Sequence, residues 1–491
     1  MKKGFDNDKY LALQSARIRE RIEQFGGKLY LEFGGKLFDD YHASRVLPGF
    51  EPDSKIRMLQ QFGAQAEILM VINATDIEKN KIRSDLGISY GEDVVRLIDI
   101  FRSRGFTADS VVITQYNGQS GADAFRRRLA ALGIRSYLHY PIPGYPSDIA
   151  RIVSDEGYGR NDYVETTKPL VVVTAPGPGS GKMATCLSQL YHEYKRGIRA
   201  GYAKFETFPI WNLPLKHPVN LAYEAATADL DDMNMIDPFH LEAYGETAVN
   251  YNRDVEIFPV LKSMLDTIQG ASPYQSPTDM GVNMAGFCIF DDEAVGEAAN
   301  REILRRYYQT AAAEKKSGAD GVLTGRLELL MKRAGVTPDS NPAIPAAMLK
   351  AQATGAPAGA LVLEDGTVLT GKTTPLLGAS SSLLLNALKY LAGIDAEENI
   401  IGADALEPIC RLKTEYLGHR NPRLHADEVL IALSISSTTN PSAAAAMRML
   451  GRLRGTDAHF SVIVASVDQK IYKALGIHLT CEPRFEVKTK K

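Results

Sequence analysis

The chain has 491 residues, with 56 Lys plus Arg against 59 Asp plus Glu and a formal net charge of −3. This length predicts two or three domains, and the balanced charge argues against a protein that coats nucleic acid. The four separated cysteines form no CxxC motif, and no apolar run approaches the ~18 residues of a membrane helix. We therefore expect a cytoplasmic protein with no nucleic-acid or membrane partner.

Strand and helix patterns alternate along the amino-terminal part of the chain, after an amphipathic helix over residues 10–25. This alternation favours a mostly parallel, Rossmann-like sheet wrapped by helices, with ligands at the carboxyl ends of its strands. The predicted strands are residues 29–33, 66–72, 110–114 and 135–139, and the predicted helices between them are residues 54–62, 91–103 and 122–132.

The segment LVVVTAPGPGSGK, residues 170–182, joins a β-branched run to a glycine-rich loop and to a helical pattern that continues to residue 196. Glycines let backbone amides approach an anion, a helix amino terminus attracts negative charge, and a lysine adds a full positive charge. The segment therefore predicts that Gly177, Gly179, Ser180, Gly181 and Lys182 bind a nucleotide or another phosphorylated small molecule. Lys182 is the predicted catalytic residue, because its charge would offset the charge that develops during phosphoryl transfer.

This loop departs from the P-loop expression, G-x-x-x-x-G-K followed by Ser or Thr, at two positions. Pro176 stands at the first glycine position, and Met183 stands where a hydroxyl would hold magnesium. Thr185 lies two residues further on, roughly 200° around the helix, so it does not replace that hydroxyl. Thr174 and Ser180 are the remaining candidates for the metal. The alternative interpretation is a tight strand-to-helix turn that needs glycine for its backbone alone.

Residues 366–373, GTVLTGKT, fit the same expression without a mismatch. However, residues 361–363 predict a strand, Asp365 and Gly366 predict a hairpin turn, and the following residues predict the returning strand. Pro375 also blocks a helix directly after Lys372. We therefore expect a hairpin at this place and no phosphate site.

The middle of the chain contains a candidate metal ligand. Residues 203–211 predict one more strand, residues 219–335 predict a helical subdomain, and residues 335–357 predict a linker rich in Pro, Ala and Gly. Within the helical part, the run FCIFDD at residues 287–292 resembles a Walker B element, so Asp291 is the predicted magnesium ligand. The alternative is that Asp291 caps the next helix. The candidate cofactor is ATP or another nucleotide with Mg²⁺.

Two further glycine-containing loops follow predicted strands. Residues 116–121, YNGQSG, and residues 32–36, EFGGK, would meet the first loop at one edge of a parallel sheet. The loop at 116–121 would bind a substrate or a second phosphate, or else Ser120 would serve only as a helix cap.

The segment GALVLEDGTVLTGKTTPLLGASSSLLLNA, residues 359–387, resembles the core hairpin and helix of the cytidine deaminases. That family places a zinc-binding cysteine, an alanine and a catalytic glutamate where this chain has Asn386, Ala387 and Leu388. Its later Pro-Cys-x-x-Cys motif corresponds to residues 441–445, PSAAA, after a predicted strand over residues 429–435. The resemblance implies the fold of that family, and with neither cysteine present no zinc is expected.

The whole chain, with LYLEFGGKLFDDYHASRVLPGF at residues 29–50 and the APGPGSGK loop, resembles a family of bacterial conserved hypothetical proteins of about this length. That family is described as a domain of unknown function. The resemblance implies a cytoplasmic bacterial setting, and it brings no activity that would choose between the alternatives.

The predicted fold class is α/β in three parts. A Rossmann-like sheet with a P-loop-like strand–loop–helix covers residues 1–218, a helical subdomain covers 219–345, and a deaminase-like α/β domain covers 358–491. The leading hypothesis is a homo-oligomer that binds a nucleotide or phosphorylated small molecule, as an NTP-dependent transferase or hydrolase. A non-catalytic metabolite-binding or assembly protein stays open, because both recognisable sites are degenerate, and so does a hydrolase with an unrecognised site.

Overall fold

The structure, a computed structural model, describes residues 2–35, 37–38, 40–83, 86–419 and 421–486. Contacts divide the chain into two compact units. The amino-terminal unit comprises Lys2–Glu224 and Asp231–Ala298, and the carboxyl-terminal unit comprises Ala225–Leu230 and Ala299–Lys491. The domain boundaries at residues 218, 345 and 358 stay predictions.

The helices and strands up to residue 282 are numbered in chain order. The helices are α1 Asn7–Gln24, α2 Tyr41–Val46, α3 Ser54–Gln60, α4 Ala74–Glu78, α5 Tyr90–Ser103, α6 Ser120–Ala131, α7 Ile149–Ile152, α8 Lys182–Lys195, α9 Pro218–Ala226, α10 Pro238–Tyr244, α11 Asn252–Gln269 and α12 Pro277–Met280. The strands are β1 Leu29–Phe33, β2 Ala66–Asn73, β3 Ile82–Arg83, β4 Ile88–Ser89, β5 Thr107–Thr114, β6 Arg135–Leu138, β7 Leu170–Thr174, β8 Gly201–Phe205, β9 Asn234–Ile236, β10 Val249–Tyr251 and β11 Gly281–Val282.

Seven parallel strands form the main sheet of the amino-terminal unit, in the order β11-β8-β1-β7-β2-β5-β6. All five residues of β7 are buried, as expected for a β-branched strand with helices on both faces of its sheet. The α/β prediction with a mostly parallel sheet is confirmed. The four predicted strands before residue 140 are also confirmed, with ends that differ by at most three residues.

The strand order creates two places where the chain leaves neighbouring strands in opposite directions. From β7 the chain crosses to β8 on one side, and from β2 it proceeds to β5 on the other. In the same way, β8 leads outward to β11, whereas β1 leads back across the sheet to β2. Crevices open at the carboxyl ends of strands at such positions, and ligands of open α/β sheets bind there.

The middle of the chain is less uniformly helical than predicted. Besides its helices it contains β9 and β10, which pair with each other, and β11, which extends the main sheet beside β8. These strands have only two or three residues, too few to show an alternating pattern. The apolar run before Asp291 is also no strand, because residues 285–288 form a 3₁₀ turn and Phe290 is 63% exposed.

The carboxyl-terminal unit is a second α/β structure. Its strands form one sheet in the order β13-β12-β14-β15, in which β12 pairs antiparallel with β13 and β14, and β14 pairs parallel with β15. Helix α13, Asp292–Ser317, begins in the amino-terminal unit and ends in this one. The other helices are α14 Val322–Ala334, α15 Ala343–Thr354, α16 Ala379–Leu391, α17 Ala403–Arg411, α18 Ala426–Ser436, α19 Pro441–Arg448 and α20 Ser466–Ala474, and the strands are β12 Ala358–Val362, β13 Val368–Lys372, β14 Asp457–Phe460 and β15 His478–Cys481.

The hairpin prediction for residues 361–369 is confirmed. Leu361 pairs with Leu369 across β12 and β13, and Gly366 has a φ of +85° in the turn between them. The perfect P-loop expression therefore lies on a hairpin, which cannot enclose a phosphate between a strand and a helix amino terminus.

Two predictions for this unit are wrong. Residues 429–435 form helix α18 and no strand, with Val429, Ala432, Leu433 and Ser436 buried at helical spacing. The predicted linker contains α15, whose Ala-rich sequence begins after Pro342 and ends before Gly355, residues that delimit helices. The deaminase-like fold stays a prediction. In α16, Asn386 donates a hydrogen bond to the Thr370 carbonyl over 2.8 Å.

None of the described helices combines the length and the apolar composition that a bilayer crossing requires.

Candidate functional site

The predicted strand–loop–helix is formed at residues 170–195. Strand β7 ends at Thr174, and Gly181 is the N-cap of α8 with a φ of +89°, while Gly179 has a φ of +72°. The loop is tightly packed, because a Cβ on Gly177 would overlap the Tyr90 hydroxyl and one on Gly181 would lie 3.0 Å from Thr114 Cγ2. These glycines satisfy steric and conformational requirements whether or not the loop binds a ligand.

The hydrogen bonds of the loop with other described residues involve its carbonyls rather than its amides. Side chains at the ends of β2 and β5 hold its carbonyls: Asn73 Nδ2 donates to Gly179 O over 3.3 Å, and Thr114 Oγ1 donates to Ser180 O over 2.6 Å. No described residue accepts a hydrogen bond from the amides of Gly179, Ser180 or Gly181. Positive-φ glycines on either side of Ser180 arrange such amides as a concave set of donors, which is typical of anion sites.

Two side chains add to these free donors. Ser180 is only 3% exposed, and its Oγ makes no hydrogen bond with any described residue. Lys182 is half-buried in the first turn of α8 and has neither an ion pair nor a hydrogen bond within the described part of the chain. A buried hydroxyl without a partner costs free energy, and a half-buried ammonium without a counter-charge favours binding of an anion.

The loop at residues 116–121 contrasts with this arrangement. Glu78 Oε2 accepts a hydrogen bond from the Gly121 amide over 2.7 Å in the first turn of α6, and Glu78 Oε1 lies 3.4 Å from Ser120 Oγ. The amino terminus of α6 therefore already binds a carboxylate of the chain itself. In the third glycine loop, Gly34 N donates to Phe205 O, and Lys36 lies outside the described residues.

Two of the side chains considered for magnesium are engaged in other contacts. Asp291 accepts a hydrogen bond from the Ala294 amide over 3.0 Å in the first turn of α13, and its second oxygen lies 2.6 Å from Lys2 Nζ. Thr185 Oγ1 donates to Gly181 O over 3.0 Å. Among the described residues no group of three or more His, Cys, Asp or Glu is placed to hold a metal ion. These side chains do not fit a magnesium site, and a metal role for Asp291 stays a prediction.

A second polar cluster, which sequence reasoning missed, lies at the carboxyl ends of β1 and β8. Glu32 is in register with Lys204, so their side chains project from the same face of the sheet. Tyr202 Oη donates to Glu32 Oε2 over 2.7 Å, and Lys204 Nζ pairs with Glu206 Oε1 at 3.0 Å and with the carboxylate of Asp254. These five residues, Glu32, Tyr202, Lys204, Glu206 and Asp254, are called the charged crevice below.

Helix α8 connects the glycine loop to this crevice. Its sheet-facing row begins with Lys182 and continues through Cys186 to Gln189 and Glu193, which hydrogen-bond to Tyr30 of β1. Burial raises the pKa of the Cys186 thiol; the negative charge of Glu32 raises it further and the positive charge of Lys182 opposes this. Both charges therefore lie near the same thiol, and Lys182 lies at the same edge and face of the sheet as the crevice.

Helix α11 reaches the same edge. Asp254 is in its first turn and contacts Lys204, while Gln269 at its other end donates to Ala200 O, next to the amino end of β8. The amino termini of α8 and α11, helices of 14 and 18 residues, thus both lie at the carboxyl edge of the sheet. Their dipoles add positive potential at that edge.

The surroundings of Glu206 raise the pKa of its carboxyl group. Burial raises the pKa of this carboxyl to about 7; the charge of Lys204 opposes the shift and that of Asp254 adds to it. Perturbed carboxyl groups in a crevice are typical of functional sites.

We expect Glu206→Gln to remove a pH dependence of stability. Between about pH 4.5 and 7 the folded protein keeps the Glu206 proton while the unfolded chain loses it, so wild-type stability falls as the pH rises through this window. The wild type should therefore lose up to about 3 kcal/mol relative to the variant between these limits. Urea unfolding of both proteins across the window measures the difference, and parallel pH profiles would contradict the shift.

Two residues of the charged crevice form a recognisable pattern in the sequence. Lys204 and Glu206 are two residues apart near the beginning of the strand predicted for residues 203–211, a spacing that places two charges on one side of the chain. Asp254 follows 48 residues after Glu206 on another element, and nothing in the sequence connects the two.

Comparisons with known proteins cover nearly the whole chain. A family model described as the N-terminal domain of unknown function DUF1846 matches residues 3–335, and the model of the C-terminal DUF1846 domain matches residues 339–490. A UPF0371 protein of Corynebacterium efficiens is 58% identical over 489 residues, 99% of both chains. A UPF0371 protein of Streptococcus thermophilus is 56% identical over 485 residues, 99% of this chain and 98% of the relative.

Proposed function

Because the chain belongs to the DUF1846 family, whose description gives no activity, we propose a function from the geometry: the loop between β7 and α8 binds the phosphate group of a small molecule. The observation that carries the proposal is that the amides at Gly179, Ser180 and Gly181 have no acceptor among the described residues. Where a helix amino terminus and its preceding loop leave amides unpaired, a phosphate supplies the missing acceptors.

The position of the loop supports the same function. The loop follows β7, and the chain leaves β7 and its neighbour β2 in opposite directions. Ligands of open α/β sheets bind at such positions. Asn73 and Thr114 hold the loop by its carbonyls, so its donors are arranged before a ligand arrives. A preformed site loses less conformational entropy on binding.

Lys182 is assigned the role of phosphate-binding residue, with the buried Ser180 hydroxyl as a further donor. An ammonium in the first turn of α8 pairs with an anion held by the preceding amides. Both nucleotides and simpler phosphate esters present the group that this loop would bind. Transfer of the phosphoryl group to a second reactant stays an expectation from the sequence.

We expect Lys182→Ala to weaken phosphate binding by at least about tenfold, the size of a lost charge-assisted hydrogen bond. Lys372→Ala is the matched control, because Lys372 ends the P-loop expression that lies on the β12–β13 hairpin and is exposed. Isothermal titration with inorganic phosphate, pyrophosphate, ATP and sugar phosphates measures both variants beside the wild type. The proposal fails if the wild type binds none of these compounds, or if Lys182→Ala binds them like Lys372→Ala.

A further inference from the structure

We propose that the charged crevice binds the hydroxyl groups of the ligand whose phosphate the glycine loop holds, so that the ligand is a sugar phosphate or a similar phosphorylated polyol. The inference rests on the proposed phosphate site and adds the rest of the ligand to it. The crevice supports this assignment by its position, its hydrogen-bonding groups and its charge.

The position of the crevice fits a ligand that also reaches the loop. Strands β7, β1 and β8 are consecutive in the sheet, and Val173, Glu32 and Lys204 are in register across them. Two strand spacings amount to roughly 10 Å, the reach of a phosphorylated pentose or hexose. Tyr30, two residues before Glu32 on β1, hydrogen-bonds to Gln189 and Glu193 of α8, so Glu32 projects from the face of the sheet that this helix covers, and Lys182 begins the helix.

The crevice has hydrogen-bonding capacity that its contacts with the described residues leave unused. Glu206 has a side chain that is nine-tenths buried, and its Oε1 makes no hydrogen bond with the described residues, although Lys204 Nζ lies 3.0 Å away. The second carboxylate oxygen of Glu32 likewise accepts no hydrogen bond from the described part of the chain. The ammonium of Lys204 has three N–H donors and two carboxylate neighbours, so one donor remains.

The charge of the crevice selects the chemistry of its occupant. Three carboxyl groups against one ammonium disfavour a second phosphate, so the phosphate belongs on the loop and an uncharged or cationic part belongs here. A hydroxyl group both donates and accepts, and it therefore uses the carboxylates and the Lys204 donor together. An amine would use only the carboxylates and would be repelled by Lys204.

The crevice is also accessible and has an aromatic border. The side chains of Lys204 and Asp254 are 24% and 23% exposed, so a ligand can reach them. The Tyr251 ring lies 5.8 Å from Lys204 Nζ and so borders the crevice.

The test compares inorganic phosphate with ribose 5-phosphate, glucose 6-phosphate and phosphoethanolamine by isothermal titration, on the wild type, Asp254→Asn and Glu206→Gln. We expect the wild type to bind one of the sugar phosphates at least about tenfold more tightly than inorganic phosphate, the contribution of one or two hydrogen bonds to carboxylates. Both variants should lose this preference and keep their affinity for inorganic phosphate, which also shows that they are folded.

The inference is overturned if wild type binds the sugar phosphates no more tightly than inorganic phosphate, or if both variants keep the preference. Tighter binding of phosphoethanolamine than of either sugar phosphate would also overturn it, because an amine would then be the occupant. Failure of the phosphate site itself is recognised separately, since wild type would then bind inorganic phosphate no better than Lys182→Ala does.

Discussion

Glu193→Ala is expected to lower the free energy of unfolding by about 3–5 kcal/mol, the cost of leaving one charge of a buried ion pair without its partner. Glu193 is fully buried in the last turns of α8, and its Oε1 lies 2.5 Å from Lys28 Nζ and 2.6 Å from Tyr30 Oη. Lys28 is only 12% exposed, so its ammonium cannot recover solvation by water when the carboxylate is removed.

Chemical unfolding followed by circular dichroism measures this effect, with Glu20→Ala as the control. Glu20 pairs with Arg17 at 2.7 Å on the surface of α1, where both side chains are about half exposed, and its loss should cost less than about 1 kcal/mol. The double variant Lys28→Met with Glu193→Ala should be more stable than Glu193→Ala alone, because no uncompensated charge remains. Equal stabilities of Glu193→Ala and Glu20→Ala would contradict the assignment.

Gly371→Ala is expected to destabilise the carboxyl-terminal unit by about 3 kcal/mol, near the upper end of overpacking effects. A Cβ on Gly371 of β13 would overlap the backbone nitrogen and α-carbon of Leu383 in α16. The helix cannot move aside, because Leu383 and Leu384 are fully buried in the core of this unit. The glycine is required for close packing of the hairpin against α16.

The control for this substitution is Gly451→Ala, because no atom lies within 4 Å of a Cβ at that position and its φ is not in the left-handed region. Thermal unfolding of both variants should show a loss for Gly371→Ala alone. A neutral Gly371→Ala would mean that the hairpin and α16 pack less closely than the structure shows.

The sequence predicts the main features of the fold because they rest on local patterns. The β-branched run of β7 and the glycines before Lys182 are sufficient for the strand–loop–helix, and Asp365-Gly366 is sufficient for the hairpin turn. Prediction from local patterns fails where the same pattern suits two kinds of secondary structure. The apolar run at residues 429–435 suits a buried strand as well as the helix that it forms.

The candidate site depends on contacts between distant residues, which a single sequence does not contain. Three glycine loops follow strands. Only the structure shows that Glu78 binds the amide at Gly121, whereas no residue in the described part of the chain accepts from the amides of Gly179 to Gly181. Likewise, Lys204 and Asp254 are 50 residues apart and meet only because β8 and α11 are neighbours in the fold.

A crystal structure of the protein with inorganic phosphate tests the central claim most directly. The phosphate-binding proposal predicts an anion whose oxygens lie at hydrogen-bond distance, about 2.7–3.2 Å, from the amides of Gly179, Ser180 and Gly181, with Lys182 Nζ beside it. A phosphate bound elsewhere while these amides hydrogen-bond only to water would contradict the proposal and leave the loop a structural turn.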